Sequence, residues 1–155
     1  MARIKIGDII EIATRKGLVY AQFTDKNKLF GSLIRVFSVY FKKRPEKFDF
    51  VNEISPGIIC FVPLNALIGQ DIFKIVGNTA ISDRNLEFPV FRAGMLDPTT
   101  GKVRIWWLWD GEKEWPIGEL TREQRKLPIR EIVNDTLLIE RIESGWSPER
   151  DSVWI

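Results

Sequence analysis

The stretch Val103–Gly111, which reads Val-Arg-Ile-Trp-Trp-Leu-Trp-Asp-Gly, constrains the fold of this chain more than any other. Aromatic side chains carry the largest apolar areas, so a stable fold has to bury much of this run. Alternate residues of an extended strand point to opposite faces. Here both alternating sets are apolar: Ile105, Trp107 and Trp109 on one face, and Trp106 and Leu108 on the other. We therefore expect a central strand that is covered on both sides.

Turn residues on both sides of this stretch predict a three-stranded meander. Asp110-Gly111 can adopt the positive φ angles of a tight hairpin. On the other side, Asp97–Gly101 is a cluster of turn-forming residues. The predicted strands are Phe88–Met95, Lys102–Trp109 and Lys113–Ile117.

The tryptophans of this meander are interpreted as core residues, since buried aromatic side chains usually pack. The alternative is a platform on which bases or sugars stack, but we recognise no basic or polar ligand set on the same strand. Trp115 lies between Glu114 and Pro116 and is the tryptophan that we expect to be partly exposed.

The rest of the chain predicts an α+β fold that is mainly β. A length of 155 residues and a hydrophobic content of 45% are typical of one domain, 1–155, with its own core. Apolar, β-favouring runs separated by turn residues predict strands in an N-terminal region, 1–80. These strands cover residues 4–12, 18–23, 29–41, 58–62 and 72–76, with a short helix at 64–68 and an irregular connection at 78–87. The Trp-rich meander of 88–118 follows. We expect a bent antiparallel sheet or a small barrel with one or two short C-terminal helices.

The C-terminal segment, 119–145, carries the helix signals. Thr121 and Gln124 have the spacing of a capping box, and Pro128 ends that short helix. A second helix is predicted over 135–144, with Gly145 as its C-terminal cap, although 137–142 also has the character of a strand. The tail, 146–155, is expected to be extended and held by Trp146 and Trp154.

The residue inventory excludes most catalytic arrangements. The chain has no histidine and one cysteine, so Ser-His-Asp triads, Cys-His pairs, histidine metal sites and cysteine zinc clusters are absent. Cys60 lies in an apolar run and is predicted to be a buried, inert thiol. No glycine-rich phosphate loop is present. We therefore expect no enzyme, no cofactor and no metal.

Three carboxylates near the hairpin, Asp110, Glu112 and Glu114, are the remaining candidates for acid–base chemistry. A pair of carboxylates can hydrolyse a glycosidic bond. We interpret them instead as a solvated edge that discourages pairing with a neighbouring strand.

Cysteine usage and hydropathy predict a cytoplasmic, bacterial-style protein. A single cysteine cannot form an internal disulfide, which fits a reducing compartment. Asp8 and Glu11 interrupt any signal peptide, and no run approaches the roughly 18 to 20 apolar residues of a membrane span. We expect no membrane association.

One concentrated basic run, Lys42-Lys43-Arg44, precedes Phe48 and Phe50. Cations beside aromatic rings are typical of single-strand binding. The net charge of +2 is too small to indicate a nucleic-acid protein, and we interpret the run as a solvated loop.

Several stretches together resemble a known family. They are Ile6–Ile12 with Gly17 and Tyr20, Gly31–Phe37, Phe88–Arg92, Trp107–Gly111 with Ile117-Gly118, Leu127-Pro128, and Glu140–Ile142 with Gly145. This pattern resembles bacterial immunity proteins found beside polymorphic and contact-dependent toxin systems. The resemblance implies that the protein neutralises a cognate toxin by binding it.

The partner-binding candidates follow from where charge and aromatic area are exposed. Asp110, Glu112, Glu114 and Trp115 are candidates for facing a basic partner, whereas Lys42, Lys43 and Arg44 are candidates for facing an acidic one. The alternative function is that of a small β-barrel nucleic-acid-binding protein.

Overall fold

A computed structural model describes residues 3–151 of the chain. These residues form two antiparallel sheets, one of five strands in the order β4-β3-β2-β1-β5 and one of three strands in the order β6-β7-β8. The strands are β1 (Asp8–Thr14), β2 (Gly17–Asn27), β3 (Gly31–Phe41), β4 (Ile58–Val62), β5 (Lys74–Asn78), β6 (Phe91–Leu96), β7 (Val103–Trp109) and β8 (Glu114–Gly118). The helices are α1 (Leu64–Gly69), α2 (Asp83–Leu86) and α3 (Asp135–Ser144). The predicted mainly-β class is confirmed, and over the described residues the sheets stay open instead of closing into a barrel.

The described residues group into two compact units. One contains 3–87 and 131–145, and the other contains 88–130 and 146–151. Whether the chain behaves as the single domain predicted over 1–155 stays a prediction. In the part of the chain that the structure describes, no helix is long and apolar enough to cross a membrane.

Side chains and glycines set the strand ends of the five-stranded sheet. Gly7 has a φ of +93°, and β1 begins after it at Asp8, later than the predicted start at residue 4. Strand β2 continues past its predicted end to Asn27. There the side-chain oxygen of Asn27 accepts hydrogen bonds from the backbone N–H groups of Leu29 and Phe30 at 2.9 and 3.1 Å, which places the turn after the strand.

Aromatic packing forms one core of the first unit. Tyr20 and Phe37 are fully buried, and the half-buried rings of Phe41, Phe48 and Phe50 pack around them. Gly77 of β5 permits this arrangement, since a Cβ atom there would lie 3.2 Å from the Phe48 ring. Phe48 and Phe50 therefore belong to the core.

Helix α3 forms over the predicted residues, which decides against the strand alternative at 137–142. The side chain of Asn134 accepts a hydrogen bond from the Leu137 N–H at 2.8 Å and caps the first turn. Gly145 ends the helix with a φ of +67°. The buried side chains of Leu138 and Ile142 join the helix to the first unit, where α3 contacts β1.

The three-stranded sheet confirms the predicted meander, with β7 in its centre. The expectation that β7 is covered on both faces is only partly right. Trp106, Leu108 and Trp109 are buried, but Trp107 and Ile105 are 37% and 57% exposed. Strand partners explain the difference. Trp109 packs against the rings of Phe88 and Phe91, whereas Trp107 lies between Ala93 and Pro116, which are too small to cover an indole.

The turns and caps of the C-terminal segment are partly as predicted. Thr121 and Gln124 form the reciprocal hydrogen bonds of a capping box, at 2.9 and 3.2 Å, but the element that they begin is a 3-10 turn at Gln124–Lys126. The tail was predicted to be extended, which is wrong at Pro148–Arg150, where proline begins another 3-10 turn. The predicted contact of Trp154 lies outside the described residues.

Candidate functional site

The predicted acidic and aromatic candidates lie on one hairpin, which we call the hairpin surface: Asp110, Glu112, Glu114 and Trp115. Asp110 stabilises the turn of this hairpin. Its carboxylate accepts hydrogen bonds from the backbone N–H groups of Lys113 at 2.8 Å and Glu112 at 3.0 Å. These bonds, that from Lys113 first, hold the pKa of the Asp110 carboxyl below its ordinary value. Asp110 therefore stays ionised at neutral pH, which is the wrong state for a general acid.

Glycine at position 111 completes this turn. Gly111 has a φ of +100°, and a Cβ atom there would lie 2.8 Å from the Phe88 ring. The backbone conformation and the close approach both require glycine. As a result, the backbone of the turn packs directly against the Phe88 ring, which in turn contacts Trp109.

Glu114 is held in an ion pair at the start of β8. Its Oε2 lies 2.8 Å from Nη1 of Arg130, and the Arg130 guanidinium lies 5.2 Å from the ring centroid of Trp109. Trp109 is also the strand partner of Glu114. The carboxylate, the guanidinium and the indole thus fix one another, and Arg130 compensates the charge of Glu114.

Trp115 and Glu112 are the outward-facing members of the hairpin surface. The Trp115 side chain is 39% exposed on β8, an outer strand of the three-stranded sheet, as predicted. Glu112 is exposed in the turn. The structure therefore brings together an accessible indole and acidic groups on a hydrogen-bonded hairpin.

The basic candidates divide into two kinds. Lys42 and Lys43 are exposed after the end of β3. Arg44 is engaged by a buried carboxylate: its Nε lies 2.7 Å from Oε2 of Glu11, and its Nη2 lies 3.0 Å from Oε1. Arg44 therefore holds the loop to β1.

Glu11 also accepts a hydrogen bond from the buried Tyr20 hydroxyl at 2.8 Å. The Arg44 hydrogen bonds lower the pKa of the Glu11 carboxyl. Burial, together with the bond to Glu11, raises the pKa of Tyr20. This cluster keeps Glu11 ionised and Tyr20 protonated at neutral pH, which suits a structural role.

Outside the hairpin surface and the basic loop of Lys42, Lys43 and Arg44, the described residues offer little reactive chemistry. Burial raises the pKa of the Cys60 thiol to about 12, so it is protonated and inaccessible in the folded state. Within the ranges that the structure describes, no group of three or more cysteine, aspartate or glutamate side chains is arranged to hold a metal ion.

Sequence reasoning missed one cluster. A cleft of about 560 Å³ in the second unit is lined by Lys102, Arg104 and Arg125 together with Trp106. The interpretation that the Trp-rich strand lacks basic neighbours was wrong. These residues are close in sequence, but β7 is out of register with β6 between Val103 and Trp106. This bulge breaks the strict alternation of faces, so a period of two along the strand does not predict the cleft.

No protein-family model, curated protein or solved structure matches this chain. Any assignment of function therefore depends on its own residues.

Proposed function

We propose that this chain is a cytoplasmic immunity protein that neutralises a cognate bacterial toxin by direct binding and catalyses no reaction itself. The observation that supports this function best is the hairpin surface, which carries the accessible Trp115 indole and the exposed carboxylates of Asp110 and Glu112 on one turn.

Rigidity is what makes this hairpin suitable for binding. Energetic hot spots of protein interfaces are enriched in tryptophan, and an anchor that is already ordered loses less entropy on association. The Asp110 turn, the Gly111 approach to Phe88 and the Glu114–Arg130 ion pair all fix the backbone that carries Trp115. The backbone that carries Trp115 is thus ordered before a partner arrives.

Charge indicates the kind of partner. Asp110 and Glu112 are exposed acids at the tip of the hairpin, and the Asp110 pKa is lowered, so both favour a basic surface. The substrate groove of a toxin nuclease is such a surface, because it has to attract phosphates. Occlusion of that groove would neutralise the toxin.

A binding role also fits the absence of reactive groups on the hairpin. The backbone N–H groups of the turn lower the pKa of Asp110, which is the opposite of the raised pKa that a glycosidase acid needs. Glu114 is held in an ion pair with Arg130. These contacts support positioned charges in preference to a carboxylate enzyme.

Nucleic-acid binding through the basic loop has less support. Lys42 and Lys43 are exposed, but Arg44 is paired with Glu11. The rings of Phe48 and Phe50 pack on Tyr20 and Phe41, at centroid distances of 5.2 and 5.0 Å, and cannot act as an open stacking platform.

The test is protection of cells that express the product of the neighbouring gene. Co-expression of the wild-type chain should restore growth and should co-purify that product. Trp115→Ala and Glu112→Lys should weaken both effects. Trp107→Ala is the matched control, because Trp107 has nearly the same exposure, 37% against 39%, on the opposite face of the sheet. Glu53→Lys, an exposed acid of the other unit, controls for net charge. Growth that the wild-type chain fails to restore, or equal loss with Trp107→Ala, would contradict the proposal.

A further inference from the structure

We propose that the cleft beside β7 binds a phosphate-bearing ligand of nucleotide size. We call it the basic cleft and define it by Lys102, Arg104, Trp106, Glu119 and Arg125. This inference is independent of the proposed immunity function, since it concerns different residues and requires no toxin.

Strand geometry brings the cations of β7 together. Lys102 directly precedes β7, and Arg104 lies within it. Near its start β7 is out of register with β6, and this bulge breaks the regular alternation of faces. Lys102, Arg104 and Trp106 all line the cleft. Opposite Trp106 in β6 stands Gly94, where a Cβ atom would lie 3.1 Å from the indole. Glycine at this position leaves room for the ring that forms the cleft wall.

A separate element contributes the third cation. Arg125 lies in the 3-10 turn Gln124–Lys126, which the capping box of Thr121 and Gln124 begins. Two distinct parts of the second unit, a strand and a capped turn, therefore direct basic side chains toward one concavity. This arrangement differs from a run of solvated charges on a single loop.

The charge balance of the basic cleft favours an anion. Three cations face one carboxylate, that of Glu119. Lys102, Arg104 and Arg125 take part in none of the ion pairs within 4.0 Å among the described residues, which are Arg35–Asp25, Arg44–Glu11, Lys126–Glu123, Arg130–Glu114 and Arg141–Glu131. An excess of positive over negative charge around one concavity raises the local affinity for an anion.

A fourth cation stands behind the wall of the cleft. The guanidinium of Arg92 lies 4.9 Å from the ring centroid of Trp106, and Arg92 is fully buried. This guanidinium packs on the indole and holds the wall of the cleft in place.

The shape and lining of the cleft decide the class of anion. A volume of about 560 Å³ lies in the range of small-ligand sites, roughly 300–1,000 Å³. Val103 and Leu120, which are half-buried, supply apolar walls for a sugar or base beside the edge of the buried Trp106. Each guanidinium group can donate two parallel hydrogen bonds to phosphate oxygens. A flat acidic protein surface would meet the cations but would leave the apolar walls uncovered.

Fluorescence anisotropy of the full-length chain with two labelled probes tests the proposal. The probes are fluorescein-labelled ATP and a fluorescein-labelled oligothymidylate, titrated at low ionic strength. Both should bind saturably, with affinities that fall as salt rises. Tighter binding of ATP would assign a free nucleotide as the phosphate source, and tighter binding of the oligonucleotide would assign a single strand.

Variants locate the binding to the cleft. Arg104→Gln and Arg125→Gln should each lower the affinity for both probes by about tenfold. This is the loss expected when one charged hydrogen-bonding partner is removed. Arg122→Gln is the matched control, because Arg122 is exposed in the same capped segment but does not line the cleft. Circular dichroism should show the same fold for all three variants.

The proposal would be overturned if neither probe bound saturably at low salt. It would also be overturned if Arg122→Gln lowered the affinity as much as Arg104→Gln and Arg125→Gln do, or if labelled polyglutamate bound as tightly as the two probes. The last result would indicate an acidic protein partner. None of these results depends on whether the chain protects cells from a toxin.

Discussion

Arg44 and Glu11 form a bidentate ion pair, with Arg44 Nε 2.7 Å from Glu11 Oε2 and Nη2 3.0 Å from Oε1. The Tyr20 hydroxyl donates to the same Oε2 at 2.8 Å. This pair connects a loop after β3 to the middle of β1 and converts part of a basic run into a structural contact.

The first prediction concerns acid stability. Arg44 lowers the folded-state pKa of Glu11 below the unfolded value of about 4.3. The resulting stabilisation is fully present above that value and is lost as pH falls through the lower folded pKa. Glu11→Gln should therefore lower the free energy of unfolding at neutral pH by about 1 kcal/mol, a modest loss because Arg44 is half exposed. The same substitution should make the free energy of unfolding fall less than that of wild type between pH about 5 and about 3.

Urea unfolding at neutral and acid pH measures this effect, with the exposed Glu53→Gln as the control. If wild type and Glu11→Gln lose stability in parallel as pH falls, the ion pair does not act as described.

The second prediction concerns the start of α3. Asn134→Ala removes the acceptor for the Leu137 N–H and should cost about 1 kcal/mol of stability. Asn134→Asp keeps an acceptor oxygen and should stay within about 0.5 kcal/mol of wild type. Thermal unfolding compares the two variants. If both lose the same stability, the acceptor oxygen at position 134 does not stabilise the helix.

The third prediction concerns the hairpin turn. Gly111→Ala should lower stability by more than about 1 kcal/mol, because a φ of +100° strains alanine and its Cβ would meet the Phe88 ring. The matched control is Gly101→Ala, where φ is +69° and no atom lies within 4 Å of the added carbon. Chemical denaturation of both variants separates the steric contribution from backbone strain. Equal effects would contradict the close approach.

The fourth prediction concerns Cys60. Because the thiol is buried and its pKa is raised to about 12, a disulfide reagent at neutral pH should label the folded protein far more slowly than the urea-unfolded protein. Absorbance of the released thiolate follows the reaction. Labelling of the folded protein at the unfolded rate would show that the thiol is accessible.

Local signals predicted much of the fold. Asp110-Gly111, the Thr121–Gln124 spacing and Gly145 each carry their own turn or cap chemistry, and the structure shows the hairpin, the reciprocal bonds and the left-handed C-cap. Such features depend on residues within four positions of one another, so they can be read from a single sequence.

Features that depend on distant residues could not be predicted in this way. The exposure of Trp107 follows from its small strand neighbours, Ala93 and Pro116, and therefore from a register that is set by turns elsewhere. Likewise, Glu11 and Arg44 are separated by 33 residues, and only the sheet brings them together.

The basic cleft was partly readable from the sequence. Lys102 and Arg104 lie near Trp106 in sequence, but a bulge at the start of β7, which the sequence does not specify, interrupts the alternation between them. The third cation, Arg125, comes from a turn whose position the sequence does not specify either.

Direct binding is the central claim, and a calorimetric titration of the purified chain into the product of its neighbouring gene tests it most directly. The proposal predicts a saturable, equimolar complex that Trp115→Ala weakens by about tenfold or more and that Trp107→Ala leaves unchanged. An absence of saturable heat, or equal weakening by the two tryptophan variants, would contradict it.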